Sequence, residues 1–144
     1  MTLDDIMNEW EKDKSMDSTS LDSESLKIPD LHHKYHKMLS AENAVLRRMA
    51  ARVEEVKTLR WLNFSGKLDE DTLKKYNWEP FDLKVMKQDT QRFVDGDPIL
   101  NKYVIELGDQ KEKIELIKSI MSQINNRSFQ INNAIKWQQF LTGQ

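Results

Sequence analysis

Hydrophobic positions follow a helical period over two long stretches of the chain. Between Pro29 and Gly66 they recur at steps of three and four residues. From Leu100 onward the same steps form a heptad pattern of more than five repeats, interrupted by polar residues such as Gln110 and Ser128. The sequence therefore predicts two long helical regions, the second of them typical of a coiled coil.

Residues that favour helix ends mark further boundaries. Thr2, with an acid three residues on, predicts a capping box at the start of a short helix. Asp97 followed by Pro98 predicts the N-cap and first turn of the C-terminal helix. Gly66 suits the left-handed conformation that ends a helix, and the Asn- and Ser-containing residues 125–128 predict a break.

These signals divide the chain into four segments. Residues 1–25 comprise an acidic helix and a linker of low order over 15–25, and residues 26–66 a long basic helix. Residues 67–97 form an irregular connector, in which a short helix over 83–93 competes with a strand near 83–86. Residues 98–144 form a helical oligomerisation region. We expect Trp10 to dock on the main body, with a partner-binding arm as the alternative.

Composition supports an all-α fold. The 144 residues include only 4 Gly and 3 Pro, too few to punctuate many short strands. There is no Cys, so disulfide and thiolate chemistry are excluded. No apolar run approaches the roughly 18 residues that span a bilayer, and the acidic N-terminus lacks the apolar core of a signal peptide. We expect the protein to act inside a cell.

The sequence offers little chemistry for catalysis. His32, His33 and His36 are the one metal-like cluster, but no third ligand stands at a fixed spacing and no general-base Glu separates them. No Gly-rich phosphate loop and no nucleophile motif is present. We therefore expect no enzyme activity, no metal and no cofactor.

Charge is distributed unevenly behind a net charge of −2. Residues 1–24 hold eight acids and two bases, whereas residues 25–66 hold eight bases and four acids. Cations that follow a phosphate chain, together with aromatic rings that stack unpaired bases, are typical of single-stranded DNA binding without sequence preference. Arg48, Arg52 and the edge formed by Lys57 and Arg60 are expected to form one stripe along the helix, whereas Arg47 points elsewhere. The candidate DNA-binding residues are Arg48, Arg52, Lys57, Arg60, Trp61 and Lys67.

The C-terminal heptads carry more apolar groups than one exposed helix leaves in water. We expect them to pack against other copies of the chain, with amide side chains setting the register. The candidate oligomerisation residues are Leu107, Ile114, Ile117, Met121, Ile124, Phe129, Ile131, Ile135 and Trp137.

Three stretches carry a family resemblance. They are WEPFDLKVMK at 78–87, QKEKIE at 110–115 and INNRSFQINNAIKW at 124–137. Together they resemble the UvsY family, the recombination mediator proteins of tailed phages, over about residues 28–143. The family has a Lys-x-Arg pair before an aromatic-Ser-Gly turn. Here Arg60 matches that Arg, Thr58 occupies the Lys position, and Lys57 lies one residue earlier.

The resemblance implies a non-enzymatic role in DNA recombination, repair and replication. A family member is expected to form a ring of six or seven subunits and to bind single-stranded DNA cooperatively. It is expected to help displace the phage single-strand-binding protein and to load and stabilise the phage recombinase, in the cytoplasm of the infected bacterial host. The alternative from the residues alone is a coiled-coil scaffold or adaptor without nucleic-acid activity.

Overall fold

A computed structural model describes residues 1–143, and all regular structure in that range is helical. The all-α prediction is confirmed. The chain consists of two compact units, which are described one after the other below. The helices are α1 (Leu3–Asp13), α2 (Leu21–Leu26), α3 (Ile28–Phe64), α4 (Glu70–Tyr76), α5 (Lys87–Asp95), α6 (Pro98–Asn125) and α7 (Arg127–Thr142).

The first unit combines residues 1–44 with the described residues from 111 onward. Its core is formed by buried side chains from α1, α3 and α6, with Trp10 packed against them. The predicted docking of Trp10 is thus confirmed, since its ring meets that of Tyr35 edge-on with centroids 5.8 Å apart. The buried core residues are Ile6, Tyr35, Ile117, Ile120 and Ile124.

Polar contacts hold both ends of α1. A capping box stabilises its first turn, and hydrogen bonds to α3 hold its last turn. The predicted capping box is present, because Asp5 N donates to Thr2 Oγ1 at 3.1 Å and Thr2 N donates to Asp5 Oδ2 at 2.8 Å. At the other end of α1, Asp13 Oδ2 accepts hydrogen bonds from Lys34 Nζ at 2.6 Å and from the Tyr35 hydroxyl at 2.9 Å. The acidic segment is therefore held in place by partners on α3.

The low-order linker predicted over residues 15–25 is wrong in its second half. Residues 21–26 form α2, which contacts α7, and Glu24 is buried while it pairs with Lys27 at 2.9 Å. In the irregular part before α2, the Ser18 carbonyl accepts a hydrogen bond from Gln138 Nε2 at 3.1 Å. These contacts reach across the chain, so the local Ser- and Asp-rich composition does not reveal them.

The second unit comprises residues 45–110. Its core consists of Val53, Val56, Phe64, Val94 and Leu100. In the segment expected to be an irregular connector, α4 and α5 are short helices, and the described residues 77–86 between them include neither helix nor strand. The expected break over 125–128 is also present, since α6 ends and α7 begins there.

The C-terminal end of α3 closes in a Schellman turn at Gly66. Its φ is +73°, Gly66 N donates to the Asn63 carbonyl at 3.1 Å, and Lys67 N donates to the Leu62 carbonyl at 2.9 Å. This is the pair of bonds that satisfies two terminal carbonyls of a helix.

We expect Gly66→Ala to lower the free energy of unfolding by about 1 kcal/mol, because only glycine adopts positive φ without cost. Gly108→Ala is the matched control, since it lies inside α6 and neither position has an atom within 4 Å of an added Cβ. It should raise stability by up to about 1 kcal/mol. Urea unfolding measures both, and a stabilised Gly66→Ala would contradict the turn.

Candidate nucleic-acid interface

The six candidate DNA-binding residues all lie in the second unit, but they differ in exposure. Arg48, Lys57 and Lys67 are exposed, and no carboxylate among the described residues lies within ion-pair distance of them. Arg52 and Trp61 are half-buried. Exposed, unpaired cations are the ones that can release counterions when they meet phosphate.

Arg60 is buried, in contrast to the exposed phosphate contact expected of it. It is only 6 % exposed, and its guanidinium forms a fork with the Asp97 carboxylate, with Nε to Oδ2 at 2.6 Å and Nη2 to Oδ1 at 3.2 Å. The rings of Phe64 and Trp78 lie 4.8 and 4.7 Å from the guanidinium carbon. Its donors and its charge are thus directed to the interior of the unit.

Arg52 is also engaged by its own chain. Its Nη1 lies 2.8 Å from Glu55 Oε2 and donates to the Tyr76 hydroxyl at 3.1 Å, and Tyr103 lies 5.9 Å from its guanidinium carbon. Hydrogen bonds to Tyr76 and Glu55 raise the pKa of Arg52 above its already high value. The side chain therefore stays charged, with part of its hydrogen-bonding capacity already used.

Sequence reasoning missed the partners that organise these arginines. Asp97 was recognised as a helix cap, and it does accept from Ile99 N at 3.2 Å and Leu100 N at 3.3 Å. Its second role, as the counterion of a residue on α3, has no local signal. The Tyr76 and Trp78 rings, stacked 4.6 Å apart, were likewise not assigned to the site.

The single basic stripe predicted along α3 is wrong. At 100° per residue, Lys57 lies roughly 140° round the helix from Arg52. The buried residues Val53, Val56 and Arg60 occupy the face between them. The cations consequently form two groups on opposite flanks of the buried face of α3.

The flank that carries Lys57 also carries the half-buried Trp61 ring. Lys57 and Trp61 line a groove of about 250 Å³ between α3 and α5, here named the α3–α5 groove. The Lys67 ammonium lies 5.7 Å from the centre of the Trp61 ring. Two unpaired cations and one indole ring are therefore brought together, which is the combination that binds phosphate and stacks a base.

The candidate oligomerisation residues also fall into two groups. Ile114, Ile117, Ile124 and Ile131 are buried within the single chain, so these side chains are not available to another copy. For them the expected contact between copies is replaced by contact inside the first unit. Leu107 and Met121 are partly buried, the former packed on the core of the second unit and the latter on that of the first.

Five of the exposed apolar residues lie on α7. Phe129, Ile135 and Trp137 are exposed, as are Phe140 and Leu141, and the Trp137 and Phe140 rings stack with centroids 5.4 Å apart. Apolar side chains that are exposed together on one helix indicate an interaction surface. Phe129, Trp137, Phe140 and Leu141 lie within about 120° round the helix, and we name these four residues the α7 apolar surface.

Among residues 1–143, the His cluster is not joined by a further metal-binding side chain. His32 and His36 stack with ring centroids 6.0 Å apart, and the described residues contain no group of three His, Cys, Asp or Glu side chains arranged to hold a metal ion. Within residues 1–143, none of the helices has the length and apolarity needed to cross a membrane.

Comparison with known proteins gives a family match and solved structures of similar fold. Residues 9–144 match the sequence model of a family described as the recombination, repair and ssDNA binding protein UvsY. No curated protein sequence matches the chain. Two crystal structures of the bacteriophage T4 recombination mediator protein UvsY are similar in fold, with TM-scores of 0.83 and 0.82 at 21 % and 22 % identity. The alignments cover 97 % and 99 % of this chain and 99 % and 98 % of those chains.

Proposed function

This chain belongs to the UvsY family of recombination, repair and single-stranded-DNA-binding proteins, and on that premise we propose that it is a recombination mediator. In this role it binds single-stranded DNA, helps to displace the phage single-strand-binding protein, and loads and stabilises the phage recombinase. The proposal rests on one observation: Lys57 and Lys67, which form no ion pair within residues 1–143, lie close to the indole ring of Trp61. The site of action is the cytoplasm of the infected bacterium.

The DNA contacts are assigned to exposed groups. Lys57 and Lys67 bind phosphates beside Trp61, which stacks a base, and Arg48 adds a cation on the other flank of α3. Arg52 contributes its charge while it remains bonded to Tyr76. Arg60 holds the end of α3 in place through Asp97 and does not touch the strand.

Self-association is assigned to the α7 apolar surface. Several copies joined in a ring of six or seven present their weak sites to one strand, and linked weak sites raise avidity by a factor of about 10² to 10⁴ when the strand reaches them all. A ring of this kind competes with the single-strand-binding protein by holding the strand, and it offers the strand to the recombinase without a chemical step.

Anisotropy of a labelled oligo-dT, titrated with protein at several salt concentrations, tests DNA binding. The protein should bind at low salt and lose affinity steeply as salt rises, because phosphate contacts release counterions. A scaffold protein without nucleic-acid activity would show no binding at any salt concentration, and that result would contradict the proposal.

We expect Lys57→Ala and Lys67→Ala each to weaken binding several-fold and to reduce the logarithmic salt slope by about 0.7, the value for one phosphate contact on a single strand. Lys111→Ala is the matched control, since it removes the same charge from an exposed position on α6 in the first unit. A slope that changes equally in all three variants would show that net charge, and not this site, governs binding.

A further inference from the structure

The α3–α5 groove has a volume of about 250 Å³ and is lined by both apolar and polar side chains. It runs between one face of α3 and the side of α5. Residues at spacings of three and four share a helix face, which explains why those from α3 meet here. The residues that line it are Glu54, Lys57, Thr58, Trp61, Gln91 and Val94.

Apolar groups supply the inner surface of the groove. Val94 is 1 % exposed and belongs to the core of the second unit, so it forms the floor. Trp61 packs against the same core while part of its surface stays exposed. An indole ring above an apolar floor provides a stacking surface for one unpaired base.

The groove offers hydrogen-bond acceptors beside the donors of Lys57 and the second amide hydrogen of Gln91. Thr58 Oγ1 donates to the Glu54 carbonyl at 3.1 Å, and Gln91 Nε2 donates to Asp95 Oδ1 at 2.8 Å. The Thr58 oxygen and the Gln91 side-chain carbonyl therefore remain as acceptors. The exposed Glu54 carboxylate forms no ion pair within residues 1–143 and is an acceptor alone.

We propose that the α3–α5 groove holds one unpaired base that carries an exocyclic amino group, and that it favours cytosine over thymine. The N4 amino group of cytosine donates to the groove acceptors, whereas thymine presents a carbonyl oxygen at the same edge. Lys57 binds the neighbouring phosphate. This inference rests on the proposed function and modifies the expectation of no base preference, which considered stacking and phosphate contacts only.

Two oligonucleotides of equal length, oligo-dC and oligo-dT, test the proposal in anisotropy titrations at pH 8 and constant salt. Both are pyrimidine strands, and thymine differs from cytosine by a carbonyl oxygen in place of the N4 amino group, by an N3 hydrogen and by a 5-methyl group. We expect the unaltered protein to bind oligo-dC roughly five- to ten-fold more tightly.

Glu54→Gln should bring the affinity ratio of the two strands close to one without weakening the binding of oligo-dT. The new amide can donate to the thymine carbonyl, and a repulsive negative charge is lost. Glu112→Gln is the matched control: it makes the same charge change at an exposed position on α6 outside the groove, and it should keep the ratio. Both positions are exposed, so the variants should fold, and circular dichroism verifies this.

Equal affinity of the unaltered protein for the two strands would overturn the base preference while leaving single-strand binding intact. A preference that survives Glu54→Gln would overturn the role of the groove. Failure to bind either strand at low salt would instead contradict the proposed function itself, and the groove assignment with it.

Discussion

Asp97→Ala is expected to lower the free energy of unfolding by about 4 kcal/mol or more. The change leaves the Arg60 guanidinium buried between two rings without its counterion, and breaking a buried pair in this way costs about 3–5 kcal/mol. It also removes the acceptor for Ile99 N and Leu100 N at the start of α6, a cap worth about 1 kcal/mol. Urea unfolding at a fixed protein concentration measures the loss.

Asp69→Ala separates the contribution of the buried ion pair from that of the helix cap. Asp69 caps α4 by accepting from Thr72 N at 3.0 Å but has no buried ion pair, so its loss should cost about 1 kcal/mol. The double variant Arg60→Met with Asp97→Ala should be more stable than Asp97→Ala alone, because it removes both charges together. Equal losses for Asp69→Ala and Asp97→Ala would show that the ion pair contributes nothing beyond the cap.

Combined replacement of Trp137 and Phe140 by Ser is expected to dissociate the proposed ring into single copies. The two side chains are 60 % and 71 % exposed in the single chain, so they contribute little to its own core, and their stacked rings form the largest apolar groups of the α7 apolar surface. Light scattering should report a mass near 17.1 kDa in place of a multiple of it. Affinity for a long single strand should fall by a factor of about 10² to 10⁴ as avidity is lost.

Leu83→Ser is the control for this variant. Leu83 is 66 % exposed and lies in the second unit, away from α7 in sequence and in unit, so its replacement removes apolar surface without touching the α7 apolar surface. Its mass and affinity should not change. An unchanged mass for the Trp137 and Phe140 variant would mean that the copies meet through another surface.

Much of the fold could be predicted because its signals are local. The capping box at Thr2, the Schellman turn at Gly66 and the cap at Asp97 each depend on residue types within a few positions. The helical period over 28–64 needs only the spacing of apolar residues. The exception, α2, is a six-residue helix that contacts α7, and its sequence shows no local preference for that partner.

The candidate site could be predicted only in part, since charge and spacing do not reveal distant partners. Arg60 has the position and charge of a DNA contact, but Asp97, far along the chain, faces it and buries it. The heptads have the same ambiguity: their period is equally suited to a core within one chain and to a contact between chains. Ile117 and Ile124 turned out to belong to the former, and Trp137 is left exposed.

The first unit is built from two stretches that are far apart in the sequence, and this affects how the chain folds during translation. Ile6 and Tyr35 emerge early, yet the isoleucines that cover them follow only after the whole second unit has been made. At about 5–20 residues per second, translation of the intervening 80 or so residues takes on the order of ten seconds. Throughout that time the nascent N-terminal segment exposes apolar side chains, to which chaperones can bind. Because α7 is translated later still, the proposed association through the α7 apolar surface requires a chain whose synthesis is almost finished.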